Sequence, residues 1–310
     1  MTSTPISIAG LSKTYRGKRG RRVEALRNLF LDINAGEVFG FLGPNGAGKS
    51  TTIKLLLGLI RPTAGAASLF GVPVGDPAAR RRVGYLPENP AFYDFLSARE
   101  YLHFVGRAFA MPPAAIRAQS ARVLALLDLE GAADRPLRGY SKGMVQRLGL
   151  AQTLLHDPDL YILDEPMSGL DPIGRALVKE IILDLRQQGK TVFFSTHVTA
   201  DAERVCDRVG VIVGGVLQEA RVVGELLREG VDGYFCRVRG SGSDALRDFD
   251  CIPCGDGLCE VFVPRSRFDT FAAELLAGGG SFDLVEPRRR DVEDYFLSLV
   301  RNPAAGEARG

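Results

Sequence analysis

GPNGAGKST, Gly43 to Thr51, follows the apolar run VFGFL, Val38 to Leu42, and opens the segment KSTTIKLLLGL, Lys49 to Leu59. A strand, a glycine-rich turn and a helix in that order are the setting in which a backbone can cradle phosphate. The loop glycines Gly43, Gly46 and Gly48 allow successive N–H groups to turn inward toward an anion, with Pro44, Asn45 and Ala47 between them. The helix start adds a partial positive charge worth only about 0.3–2 kcal/mol, too little to hold a polyphosphate. Lys49 is therefore the expected point charge on the β and γ phosphates, beside Thr51, and Ser50 the expected hydroxyl ligand for Mg²⁺.

A second stretch, LYILDEP at Leu160 to Pro166, runs four apolar residues into two acids. A buried strand ending in Asp164 would deliver a carboxylate to the sheet edge beside the phosphate loop, where it can hold Mg²⁺. Glu165 would point past it and orient or deprotonate an attacking water, a role worth roughly 10²–10⁴ in rate. Lysine loop plus acidic strand defines a phosphate-loop NTPase and no more.

The discriminating segment is YSKGMVQR, Tyr140 to Arg147, just ahead of the acidic strand. It resembles the signature of the ABC ATP-binding cassettes. SGLD at Ser168 to Asp171 resembles the D-loop of that family, STH at Ser195 to His197 its switch histidine, and GYLPE at Gly84 to Glu88 lies where the family has its Q-loop. Tyr15, in LSKTY, is similar to the adenine-stacking aromatic and equally reads as an ordinary strand aromatic. The resemblance covers about Ile6 to Leu217. It implies ATP and Mg²⁺ as cofactors, with Glu165, His197 and Lys49 catalytic and Ser50, Asp164 and Glu88 around the metal. It also implies that Ser141 and Gly143, at a helix start able to bind an anion, reach the γ-phosphate held by a second cassette. That cassette would be another copy or a related chain. Asp171 joins the nucleotide-binding set and also suits the cap of the helix that starts near Pro172. Three positions depart from the family: Glu88 stands where many members have Gln, Lys142 replaces the first signature Gly, and Met144 replaces the Gln. Similar changes occur in an exporter branch whose membrane permease is a separate chain.

Apolar or β-branched segments at Ile6 to Ala9, Leu29 to Ile33, Val38 to Leu42, Val83 to Leu86, Leu160 to Leu163, Val192 to Ser195 and Val209 to Val213 read as strands. Helix-length segments lie between several of them: Lys49 to Leu59, Ala114 to Leu129, Val145 to His156 and Gly174 to Gln188, the last with Leu177, Ile181, Ile182 and Leu185 on one face. The expected fold is thus α/β: a mainly parallel core sheet covered on both sides. Residues from about Asn89 to Arg138 break the alternation, are mostly helical in pattern with Pro112 and Pro113 expected to end a helix, and read as a helical insertion assigned to about 89–143. The resemblance adds an antiparallel N-terminal β subdomain. The cassette is assigned to 1–220. A small α+β appendage follows at 221–301, with strands near Tyr234 to Val238 and Glu260 to Val263 and helices near Arg267 to Ala277 and Val292 to Val300. The closing helix resembles the last segment of the exporter branch and equally suits the core of the appendage. Asn302 to Gly310 reads as a disordered tail.

Lys and Arg total 39 against 37 for Asp and Glu, so a net charge of +2 exerts no long-range pull on nucleic acid. Apolar stretches such as Leu55 to Ile60 fall far short of the roughly 20 residues that cross a bilayer. The opening MTSTPISIAG lacks a secretory pattern. The expected location is cytoplasmic, peripheral on the inner face of the membrane. A rival reading, an ABC ATPase acting on DNA or the ribosome, lacks the fused second cassette or heptad run that such proteins carry. Cys236, Cys251, Cys254 and Cys259 allow a four-thiolate metal site or free thiols. Basic clusters at Lys18 to Arg22, Arg80 to Arg82 and Arg288 to Arg290 read as solvated turns or as lipid-headgroup contacts.

Overall fold

A computed structural model describes residues 4–16, 22–227, 231–239, 244–289 and 291–301. Outside these lie most of the basic cluster Lys18 to Arg22, Arg290, the polar stretch between Arg239 and Asp244, and the tail Asn302 to Gly310. The chain divides into two compact units, Met1–Val223 with Phe296–Gly310, and Gly224–Tyr295.

In the first unit, β1 (Ile6–Arg16) and β2 (Arg22–Ile33) pair antiparallel and lead into β3 (Val38–Leu42) and α1 (Lys49–Leu56). β4 (Ala64–Leu69) returns beside β1 and carries the short β5 (Val72–Pro73), completing an antiparallel sheet in the order β2-β1-β4-β5. The chain then enters β6 (Val83–Leu86) and leaves it for the helical insertion: α2 (Ala98–Ala108), α3 (Pro113–Leu126) and the start of α4 (Lys142–Leu154). After it come β7 (Leu160–Asp164), α5 (Pro172–Gln187), β8 (Thr191–Thr196), α6 (Thr199–Val205), β9 (Arg208–Val213) and β10 (Val216–Val222), and the division between the units falls within the following α7 (Val223–Leu226).

The core sheet runs β10-β9-β3-β8-β7-β6, parallel throughout except for β10 against β9. Every residue of β3, β7 and β8 is buried, which is why these strands read as unbroken apolar runs rather than alternating ones. Phe193 packs between Phe39 and Phe41, with ring centroids 6.0 and 5.5 Å away. Each such ring, fully buried, contributes about 1.5–3 kcal/mol. On α5 the inward face is Val178, Ile181, Ile182 and Leu185, while Leu177 is only half-buried.

Pro112 and Pro113 open a helix instead of ending one. Pro113 is the first residue of α3, where its missing N–H is one of the four that a helix start leaves unpaired. The preceding α2 begins with a capping box: Ser97 Oγ accepts from Glu100 N, and Glu100 returns the bond to Ser97 N.

The second unit contains β11 (Val231–Arg239), β12 (Cys251–Gly255), β13 (Leu258–Pro264), α8 (Arg265–Ala277) and β14 (Ser281–Arg289), and the division between units falls inside α9 (Val292–Arg301). Its antiparallel sheet, ordered β12-β13-β11-β14, buries Cys236, Val238, Val261 and Val263 with Phe271 and Leu275 of α8. The four cysteines do not gather as a cage. Cys236 and Cys259 are buried, Cys251 and Cys254 exposed, and Cys259 Sγ lies 3.5 Å from Cys251 Sγ. Among the described residues no group of three or more His, Cys, Asp or Glu side chains could hold a metal ion. Burial pushes the thiols of Cys236 and Cys259 up to about 11 and that of Cys206 well above the ordinary range. Iodoacetamide applied to the reduced, folded protein is therefore expected to label Cys251 and Cys254 first. Mass mapping that finds Cys206 or Cys236 modified as fast would contradict this burial.

Candidate functional site

The site grows from strand register. Leu42 pairs with Thr196 and Asp164 with Ser195 across β3, β8 and β7, so Gly43, His197 and Glu165 leave the sheet together at one edge. Ligands of open parallel sheets bind at this carboxyl edge.

The loop Gly43–Thr51 turns at Gly46 and Gly48, whose φ angles are 79° and 114°. Asn45 and Gly46 form the exposed tip, Ala47 is buried, and Ser50 and Thr51 are half-buried. Gly48 caps α1 with no side-chain bond, and the first turn of α1 carries no acid. The amide dipoles of the helix start thus face the loop's concave side without a competing carboxylate of their own helix. Lys49, 6% exposed, folds back along the loop, its Nζ donating to Gly43 O at 2.6 Å and standing 3.4 Å from Glu165 Oε1.

The two acids are held differently. Asp164, 4% exposed, accepts on Oδ1 from Ser195 Oγ at 2.5 Å and from Ser50 Oγ at 3.3 Å. Glu165 takes a φ of 48°, uncommon for a residue with a side chain. Its N–H donates to Ser195 Oγ at 3.1 Å. That turn aims its carboxylate between Lys49 and His197, whose Nδ1 lies 3.0 and 3.1 Å from the two Glu165 oxygens. Behind them, burial and then the charge of Asp164 push the Tyr85 hydroxyl up to about 12, so it remains a neutral phenol. Ser50 and Asp164 present two hard oxygens within reach of one small divalent cation, and this donor set suits Mg²⁺.

Other expected residues stand apart from this cluster. Glu88 is exposed two residues past the end of β6, and among the described residues it makes no bond to Ser50 or Asp164. Tyr15 sits on β1 of the antiparallel sheet, 38% exposed, with Lys13 Nζ 5.2 Å from its ring centroid. Ser141 caps α4, its Oγ accepting from Met144 N at 3.3 Å, and Gly143 follows in the first turn. No bond links Ser141 or Gly143 to the Gly43–Thr51 loop among the described residues. Asp171 caps α5, accepting from Gly174 N at 2.7 Å, as its place before Pro172 suggests.

Two residues escaped the sequence reading. Ser195 supports both acids at once; the signal was a hydroxyl directly after the apolar residues Val192, Phe193 and Phe194 of β8, opposite Asp164. Gln146, 4% exposed on α4, donates from Nε2 to Pro166 O at 3.3 Å and ties the YSKGMVQR helix to the turn after Glu165.

A family model described as ABC transporter matches residues 26–168. The chain is 46% identical over 305 residues to an ABC transporter ATP-binding protein of Synechocystis sp., with 94% of this chain and 83% of that one covered. It is 39% identical over 255 residues to the Nod factor export ATP-binding protein I of Burkholderia orbicola, covering 80% and 81%. Among solved structures it is similar to a dimeric ATP-binding cassette in a post-hydrolysis state bound to ADP and Pi, with a TM-score of 0.65 and 25% identity, over 70% of this chain and 98% of that one.

The loop geometry predicts unequal costs for two similar substitutions. A Cβ at Gly48 would sit 2.6 Å from Ala25 O, whereas one at Gly46 meets nothing within 4 Å. Gly48→Ala should lose about 1–3 kcal/mol in urea unfolding from backbone strain and the added clash, and Gly46→Ala measurably less. Equal losses would contradict the loop conformation.

Proposed function

The chain belongs to the ABC transporter ATP-binding family, an ATPase family whose members energise transporters, and from that premise we propose that two cassettes clamp two ATP molecules between them. The partner cassette is a second copy of this chain. Lys49 and the loop N–H groups bind the β and γ phosphates of one ATP, and Ser141 with the N–H of Gly143 closes over its γ-phosphate from the other copy. Ser50 and Asp164 hold Mg²⁺, which supplies neutralisation of phosphate charge. Glu165 orients and deprotonates the attacking water, and the imidazole of His197 reports the γ-phosphate and keeps Glu165 in place.

The observation that carries this reading is the Lys49–Glu165–His197 cluster at the carboxyl edge of the sheet, with Lys49 Nζ 3.4 Å and His197 Nδ1 3.0 Å from Glu165 Oε1. Glu165 lies against Lys49; a γ-phosphate at Lys49 would compete for that ammonium and leave the carboxylate to the attacking water. Pairing of two cassettes is supported by the dimeric cassette to which this chain is similar.

No helix among the described residues is long and apolar enough to cross a membrane. In this reading the channel belongs to a separate permease. We assign its docking to a cavity of about 970 Å³ lined by Leu59, Arg81, Tyr85, Phe104, Phe109 and His156, where Phe104 and Phe109 are exposed aromatics. Transport outward is favoured by the export protein among the relatives. The assembly would then sit peripherally on the inner face of the membrane.

Glu165→Gln should keep ATP binding, stall hydrolysis and accumulate an ATP-bound dimer in size-exclusion chromatography; unchanged turnover removes Glu165 from the base role. Lys49→Ala should weaken ATP binding at least about tenfold, as expected for loss of a charge-assisted contact. Wild-type affinity in that variant would overturn the loop assignment.

A further inference from the structure

One buried carboxylate close in sequence to the cluster has no part in the scheme above. Asp201 on α6 is 2% exposed, and its two oxygens take separate cations from α5: Arg175 Nη2 at 2.6 Å and Lys179 Nζ at 2.7 Å. A buried acid is tolerated only when its charge is answered, and here two bases four residues apart on one helix face answer it. The position of the pairing matters more than its strength. α5 begins at the cap Asp171, which closes the SGLD turn, and α6 begins two residues after His197. α6 has no side-chain cap of its own; between the strand and the helix, Val198 N donates to Thr196 Oγ1 at 3.0 Å.

We propose that Asp201 is a positioning residue for hydrolysis: by gripping Arg175 and Lys179 it fixes α6, and with it His197, against the helix that carries Asp171. The imidazole is half-exposed, so its own packing does not hold it within 3.0 Å of Glu165. The anchored helix behind it does. The same grip makes any movement of the SGLD turn felt at His197. This inference rests on the assignment of His197 and Glu165 to ATP turnover.

The test compares wild type, Glu165→Gln, Asp201→Asn, Asp201→Glu and Lys179→Met for kcat, ATP affinity and melting temperature. The sequence contains three histidines, so imidazole NMR signals can be followed one by one. Asp201→Asn is expected to lower kcat about tenfold or more, as misplacement of a reacting group does, while ATP affinity stays within about twofold. Its His197 signal should shift or broaden, with those of His103 and His156 unmoved. Asp201→Glu should recover most of the rate, and Lys179→Met, which keeps the Arg175 pair, should fall between. A variant that melts earlier but turns over at the wild-type rate with an unmoved His197 signal would show a purely structural pair and overturn the proposal. If Asp201→Asn does not fold, Lys179→Met decides by the same readouts. Full turnover in Glu165→Gln would instead sink the function on which this rests, so the two failures are distinct.

Discussion

Parallel pairing in a single register is the constraint on which this molecule depends. Because Leu42 lies opposite Thr196 and Asp164 opposite Ser195, the chain leaves β3, β7 and β8 at the same height. A slip of one residue in β7 would turn Asp164 to the other face and take Glu165 out of reach of Lys49. The register is fixed by the fully buried strands, where Phe39, Phe41 and Phe193 fill the space between layers. Apolar packing with no chemistry of its own thereby sets the position of every reacting group.

What the register places, Ser195 tunes. Its hydroxyl donates to Asp164 and accepts from the Glu165 N–H, so one atom orients two acids with different environments. Asp164 faces the Ser50 hydroxyl, a setting for a cation. Glu165, turned by its positive φ, faces Lys49 and His197. Removing one partner from a buried charge pair is more disruptive than having no pair at all. In the proposed cycle, a phosphate at Lys49 would therefore compete with Glu165 for the ammonium.

The parts legible in the sequence were those whose cause is local. GPNGAGKST needs glycines for its turn, and LYILDEP needs an apolar strand and two acids, so both could be read from neighbouring residues. β4, with the sequence AGAASL, carries no strand pattern and is a strand only because β1 pairs with it. α2 falls within the expected helical insertion, but its start was not placed although Ser97 and Glu100 spell its capping box. Pro112 and Pro113 gave the right punctuation and the wrong direction, since proline marks a helix start as readily as an end. In the site, Lys49, Asp164, Glu165 and His197 converge as the motifs implied. Ser195 and Asp201 were silent because their partners come from distant segments, and Glu88 stays apart from the acids it was expected to join.

The start of α4 is capped by Ser141 and, among the described residues, is bonded to no part of the Gly43–Thr51 loop of its own chain. The account is that it completes the site of a twin. The most direct measurement mixes two inactive chains, Lys49→Ala and Gly143→Glu, the second placing a carboxylate where phosphate must approach. In a mixed dimer one site would pair an intact loop with an intact α4 start, while the other holds both defects. Random mixing should restore ATP hydrolysis to about a quarter of the wild-type rate, since half the dimers are mixed and each has one sound site. If each chain closed its own site, every site would stay defective and the mixture would remain as inactive as its components, which would contradict the account.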